Sequence, residues 1–335
     1  MINLLFDVIY YAALIVLISL VAALAVAPFE SMGWWSGWWL RKDDPAAKSP
    51  PAPAEIESVH SAQAHAPPAA QPVDHYVVYL TGIGGSTAHL NIPYEKRLLV
   101  RLREQLPTAC VIDTIYPYSA ANRGLTKDRL FARFWRFILH EKLTGHDKLG
   151  FMINLHNLLQ VLVCADNRYG PFFSQGAAHV IAQQLRQEKY DFTGRVPLTI
   201  IGYSGGGQIA VGAAPYLAEV LPAPVQVISL AGVLSSTPKI NRIDQLVHIY
   251  SDKDTVQRLG MIFPGRWRIA FTSAWNQGRR SGRITSILLP GVKHDGAGSY
   301  LDEKSFLDDG RSYLDRTVDT IVEVIDTETP HIPDA

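Results

Sequence analysis

The chain has 335 residues, room for one large domain or two small ones, and 47% of them are apolar against 19% charged. Its 31 Lys and Arg balance 31 Asp and Glu, so no net field draws it to nucleic acid. The two cysteines, Cys110 and Cys164, lie far apart, with no Cys-x-x-Cys and no Cys/His group at ligand spacing. Neither a disulfide framework nor a metal site is indicated, and both read as buried thiols.

The first element is a run without charge, Val8 to Ala27 (VIYYAALIVLISLVAALAVA), long enough to cross a hydrocarbon core of roughly 30 Å. A cleaved signal peptide would carry a basic leader, whereas this run is preceded by Asp7 and no Lys or Arg. The cleavage-like Ala25-Val26-Ala27 is followed by Pro28, a poor residue just past a cleavage point. Trp34, Trp35, Trp38 and Trp39, then Arg41 and Lys42, follow in the manner of an interfacial belt. The expectation is one transmembrane helix at 8–27, single-pass. Arg41, Lys42 and Lys48 all lie on its C-terminal side, so the positive-inside tendency puts the large domain in the cytoplasm. The absence of disulfide-like cysteine usage agrees.

Residues 28–73 form an interfacial segment and then a Pro/Ala-rich linker (PAAKSPPAPAEIESVHSAQAHAPPAAQPVD from Pro45 to Asp74). It has no apolar period, and its prolines favour an extended spacer. His60, His65 and His75, scattered in or beside it, read as solvated residues.

A domain at 74–335 follows. His75–Leu80 (HYVVYL) reads as a strand entering the glycine-rich turn TGIGGST. Asn91–Gln105 reads as a helix, Ala109–Ile115 as a strand, Val196–Ile201 as a buried strand, and Gln208–Val220 as an apolar helix. Strands follow at Val225–Ala231, Leu246–Tyr250 and Ile284–Leu289, and Arg311–Asp326 is an amphipathic helix. This alternation predicts an α/β fold, a mostly parallel sheet with helices on both faces. About 122–190 breaks the alternation and reads as a helical insertion over one edge of the sheet. In it Leu130, Phe131, Phe134, Trp135, Phe137 and Ile138 share one helix face opposite Arg129, Arg133 and Arg136, and Phe151–Cys164 is a second apolar helix. The aromatic face suits either the domain core or a cap that shapes an acyl site or rests on the membrane.

The chemistry centres on Gly202-Tyr203-Ser204-Gly205-Gly206, a G-x-S-x-G directly after an apolar strand and before a helix. Small residues around the serine permit a sharp turn that lifts its hydroxyl off the sheet edge and turns the next backbone N–H toward a reacting carbonyl oxygen. Here the chain resembles the α/β-hydrolase superfamily of serine hydrolases, from about Tyr76 to Asp326 apart from the insertion. That resemblance implies a serine nucleophile at Ser204 in an elbow of Gly202, Tyr203 and Gly206. It also implies an oxyanion hole from the backbone N–H groups of Ile83 and Gly205, the former in Thr81-Gly82-Ile83-Gly84-Gly85. Thr81 stands where the family usually has histidine, a departure that leaves the backbone role intact. Tyr250-Ser251-Asp252-Lys253-Asp254-Thr255-Val256 looks like the family's acid turn, with Asp254 as the acid and Asp252 as the alternative. Gly291-Val292-Lys293-His294 follows the last strand, where the family carries its histidine, and the order Ser204, Asp254, His294 is the family's.

Competing motifs are weaker. Gly205-Gly206-Gly207-Gln208-Ile209-Ala210 fits the dinucleotide pattern G-x-G-x-x-A, but its strand lies in mid-domain and the acid and histidine turns favour the serine reading. The turn at Gly82 lacks the Gly-Lys-Ser/Thr of a phosphate loop. No cofactor and no metal are therefore expected. The resulting expectation is a membrane-anchored serine hydrolase (esterase, thioesterase or lipase-like) acting on an ester or acyl-lipid substrate. The alternative is a catalytically inactive α/β-hydrolase-like binding or scaffold protein at a membrane. The acyl substrate is not readable from the sequence.

Overall fold

A computed structural model of the chain describes residues 73–86, 92–119 and 151–328, together with Tyr10 and Leu14. Among the described residues no helix is long and apolar enough to cross a membrane. Apart from Tyr10 and Leu14, the stretch expected to span the bilayer at 8–27 lies outside the described residues. So do the tryptophan belt, the linker up to residue 72 and the aromatic helix expected around Leu130–Ile138.

The described chain is an α/β fold built on six parallel strands. In chain order the strands are β1 (His75–Leu80), β2 (Ala109–Ile112), β3 (Leu198–Tyr203), β4 (Val225–Leu230), β5 (Gln245–Tyr250) and β6 (Ile284–Leu288). The helices are α1 (Pro93–Gln105), α2 (Phe151–Ala165), α3 (Gly170–Gln187), α4 (Gly205–Ala218), α5 (Ala274–Arg280) and α6 (Tyr313–Glu328). Across the sheet the order is β2-β1-β3-β4-β5-β6. The central strands β1, β3 and β4 are buried along their whole length, which is why they read as unbroken apolar runs rather than alternating ones.

Successive side chains of a strand point to opposite faces, and two cores result. Tyr76, Val78 and Leu80 of β1 join Leu198 and Ile200 of β3 against α2, α3 and α4. Val77, Tyr79, Ile201 and Tyr203 face the other way, onto α1 and α6. α6 buries Leu314, Val318, Ile321 and Ile325, the i, i+4, i+7, i+11 stripe of an amphipathic helix. α1 starts with Pro93, whose missing N–H has no partner to lose in a first turn, and buries Leu98, Leu99 and Leu102. Each such leucine contributes roughly 1.5–3 kcal/mol of apolar burial.

α2 and α3 do more than cover a sheet edge. Every residue of α4 from Gly205 to Leu217 is buried, so that helix has to be covered on all sides, and α2 and α3 cover it. The stretch expected as an insertion thus contributes two helices to the main helical layer. β3 runs two residues beyond its expected end, up to the residue before Ser204. Its start is set by Pro197, which has no N–H to donate but whose carbonyl accepts from Tyr76 N at 3.0 Å. His75, expected in solvent, is buried, with Nε2 2.8 Å from Thr199 Oγ1 on the neighbouring strand. Both cysteines are free thiols, Cys164 buried and Cys110 only partly so.

Candidate active site

In a sheet of order 2-1-3-4-5-6 the chain leaves β1 toward one edge and β3 toward the other, which opens a crevice beyond the C-terminal ends of β1 and β3. The turn after β1 carries Thr81–Gly85 and the turn after β3 carries Ser204, so the two motifs singled out in the sequence meet at this point. Contact is close: a Cβ on Gly205 would sit 2.5 Å from Ile83 Cγ2.

Ser204 has φ 51° and ψ −119°, a left-handed conformation that a non-glycine residue holds only when its surroundings impose it. Its N–H donates to Leu230 O of β4 at 2.9 Å, and Gly207 N closes the turn on Ser204 O at 3.1 Å. The turn demands glycine on both sides. A Cβ on Gly202 would lie 2.5 Å from Gly206 O, and one on Gly206 would collide with the Leu80 and Thr81 carbonyls. Ser204 also stands at the N-terminus of α4, where the first N–H groups have no intrahelical acceptor and the helix dipole presents partial positive charge.

Ser204 Oγ lies 2.9 Å from His294 Nε2. His294 Nδ1 lies 2.9 Å from Asp254 Oδ2. A carboxylate only accepts, so Nδ1 carries the proton and Nε2 is left as the acceptor for the serine hydroxyl. Asp254 is wholly buried, and its oxygens are satisfied: Oδ1 accepts from Val256 N at 2.9 Å and Gln257 N at 3.1 Å, and Oδ2 from Tyr300 Oη at 3.2 Å. Such satisfaction is what makes a buried carboxylate tolerable. Asp252, the alternative acid, is exposed and has a different task. Its Oδ1 accepts from Gly291 N at 2.8 Å, which holds its carboxyl below the ordinary value and braces the turn leading to His294. Asp254, not Asp252, is therefore the histidine's partner.

Tyr203 does more than fill the elbow. Its Oη donates to His294 O at 2.8 Å, and its ring stacks on the imidazole at 5.9 Å between centroids. The histidine is thus held from both sides, by the acid on its ring and by Tyr203 on its backbone.

The turn proposed to supply the second N–H is clamped from α2. Asn157, fully buried, donates from Nδ2 to both Ile83 O and Gly85 O at 2.6 Å. Tyr116 Oη in turn donates to Asn157 Oδ1 at 2.7 Å, and Tyr118 Oη donates to Thr81 O at 2.8 Å. These donors hold the Thr81, Ile83 and Gly85 carbonyls on either side of the Gly82–Ile83 peptide, whose own carbonyl, Gly82 O, accepts from Gly85 N at 3.1 Å within the turn. Below the turn lies Glu95 of α1, fully buried, accepting from Tyr79 Oη at 3.0 Å. Burial pushes its carboxyl up to about 7, against the pull of the neighbouring Thr81 and Tyr79 hydroxyls and the Gly82 backbone.

Asn157, Glu95, Tyr116, Tyr118 and Tyr300 carry no motif, and sequence reading missed all five. Only their polarity inside apolar stretches, Asn157 within FMINLHNLLQVLVCA above all, signals a buried hydrogen-bonding role. No group of His, Cys, Asp and Glu suited to a metal occurs among the described residues.

No protein-family model matches the chain, and no curated protein matches it. The geometry alone carries the functional reading. The arrangement sets an imidazole to take the proton of a serine hydroxyl at the N-terminus of α4, beside the Thr81–Gly85 turn, which is chemistry suited to acyl transfer.

Proposed function

We propose that the chain is a serine hydrolase with an α/β-hydrolase fold that cleaves an ester or thioester through an acyl-enzyme, tethered to a membrane by residues 8–27. The observation that carries this reading is the linear relay Ser204 Oγ, His294 Nε2 and Nδ1, Asp254 Oδ2, each link 2.9 Å, with the acid buried. The parallel sheet and the order of the three residues along the chain support it as well.

On this reading His294 Nε2 takes the hydroxyl proton as Ser204 Oγ bonds to the substrate's carbonyl carbon, and Asp254 stabilises the imidazolium. The carbonyl oxygen becomes an oxyanion held by the N–H groups of Gly205 and Ile83. Collapse of the tetrahedral species breaks the bond to the alcohol or thiol, which leaves with the proton from Nε2. Water then repeats the sequence on the acyl-serine, giving its proton to His294 and releasing the acid. One oxyanion donor is worth roughly 2.7–4 kcal/mol in such sites, so the orientation of the Ile83 peptide matters as much as the relay.

A fluorophosphonate probe on purified protein tests this reading. Labelling of the wild type and none of Ser204→Ala is expected, together with turnover of a short-chain aryl ester. Absence of labelling in a folded protein would favour the inactive binding or scaffold alternative instead.

A further inference from the structure

Between the acid turn and the histidine turn, Thr255 to His294, the chain carries Arg258, Arg266, Arg268, Arg279, Arg280, Arg283 and Lys293 and not one Asp or Glu. In a chain whose charges balance overall, this concentrates positive charge in one stretch. The same stretch exposes large apolar side chains: Leu259 at 52%, Met261 at 54%, Ile262 at 60%, Ile269 at 80% and Phe271 at 66%, with Trp267 beside them. Scattered exposed apolar residues are ordinary, but six within thirteen residues mark an interaction surface.

These side chains are held outward by a braced loop. Trp267 Nε1 donates to Met261 O at 2.6 Å, and Asn276 Nδ2 to Trp267 O and Ala270 O at 2.8 and 2.9 Å. Arg266 stacks over Trp275 at 4.2 Å and donates to Leu234 O. Arg280 donates to Phe271 O at 2.7 Å, which sets a cation at the rim of the apolar patch, with Arg258 and Arg268 exposed beside it. The patch begins two residues past Gln257, whose N–H binds Asp254, so it borders the candidate active site.

We infer that the surface of Leu259, Met261, Ile262, Ile269 and Phe271, rimmed by Arg258, Arg268 and Arg280, docks on an anionic lipid bilayer. Apolar side chains flanked by arginines and free of acids suit the boundary between acyl chains and negative headgroups. The chain's own aromatic segment is a poor occupant, because residues 122–150 carry seven Lys and Arg against three Asp and Glu and would bring like charges together. The inference rests on the membrane part of the proposed function and gives the hydrolase a way to take ester lipids from the surface beneath it.

The test uses the full chain with Cys110→Ser, an environment-sensitive fluorophore on Ile269→Cys or Phe271→Cys, and a reference fluorophore on the exposed Glu188→Cys. Each protein is reconstituted into phosphatidylcholine vesicles with or without phosphatidylglycerol, and nitroxide lipids serve as quenchers. Expected is a blue shift and strong quenching at 269 and 271, several-fold greater in the anionic vesicles, absent at 188, and largely abolished near about 1 M salt. Arg268→Glu with Arg280→Glu should remove the preference for anionic lipid. Equal quenching at 188, no quenching at 269 and 271, indifference to lipid charge, or a blue shift already present without lipid would each overturn the docking surface; the last would assign the patch to another part of the chain. Ser204→Ala should dock as wild type does. Vesicle flotation reads the tether separately, so failure of docking, of tethering and of hydrolysis are told apart.

Discussion

At Ser204 the strained backbone, the two colliding carbonyls that exclude side chains at Gly206, and the hydrogen bond to Leu230 O act together to present one hydroxyl to one imidazole. Removing members of this relay should therefore give unequal losses. Ser204→Ala should abolish turnover, and Asp254→Asn should lower kcat about 10⁴-fold because the imidazole then adopts the wrong tautomer. Asp252→Asn, which only loosens the Gly291 turn, should cost no more than a few-fold; steady-state kinetics on a short ester decide, and an equal loss at Asp252 would contradict the assignment. Asn157 acts through the Ile83 and Gly85 carbonyls, which fix the shape of the Thr81–Gly85 turn, and is a positioning residue. Asn157→Asp keeps the shape but loses both donors, so kcat should fall on the order of 10- to 100-fold, less than the roughly 10²–10³ expected for losing an oxyanion donor itself. KM should hold steady. A change in KM alone, or in melting temperature with kcat intact, would leave Asn157 a purely structural residue.

Among the elements, α1 carries a liability that sequence reading did not expose: Glu95, a carboxyl with no exposure at all, packed beneath the turn at Thr81–Gly85. Its folded-state pKa, about 7, exceeds its ordinary 4.5, so the folded state keeps a proton that the unfolded state releases. The contribution of Glu95 to stability should therefore fall as pH rises from about 4.5 to about 7 and level off above, a term that at ~1.4 kcal/mol per pKa unit sums to a few kcal/mol and runs opposite to that of the buried His75. Glu95→Gln should remove that term, so that the difference in urea-unfolding stability between wild type and variant changes between about pH 4.5 and 7; a difference that does not vary with pH would overturn the assignment. The elements themselves were largely readable because buried parallel strands are short unbroken apolar runs between turn residues. α3 falls inside the helical insertion expected at about 122–190 but has no bounds of its own in that expectation, although Pro171 opens it and Phe173, Ala177, Ile181 and Leu185 repeat at i, i+4, i+8 and i+12. Its small residues, Gly176, Ala177, Ala178 and Ala182, blur the apolar period, and they are there because α3 packs against α4. Ser204, Asp254 and His294 were readable from their turns after strands, whereas Asn157 and Tyr300 were not. A residue that bonds across 72 or 46 positions of chain has no local pattern to announce it.

On the scale of the molecule, among the described residues both cores and every residue of the candidate site fall between Val73 and Ile325. The entry into that region is itself tied down. Asp74 N donates to Thr108 O at 3.4 Å, and His75 is buried against Thr199. Burial pushes the His75 imidazole down to about 4, so it folds in neutral and resists protonation. The unfolded chain binds that proton more readily below about 6.5, hence acid should loosen the first strand between roughly pH 6.5 and 4. Both ties join residues of the described domain. A chain starting at Pro72 should then remain soluble, unfold in one cooperative transition near neutral pH, and hydrolyse short esters with the full-length kcat/KM. Its flotation with neutral vesicles should be lost, because the apolar run of 8–27 is gone, while weak, salt-sensitive association with anionic vesicles through the 259–271 surface should persist. Circular dichroism melts, ester kinetics and flotation on the same preparation check the three parts together. Aggregation of the shortened chain, or a non-cooperative melt, would mean that the 71 residues before Pro72 belong to the fold and not only to its attachment.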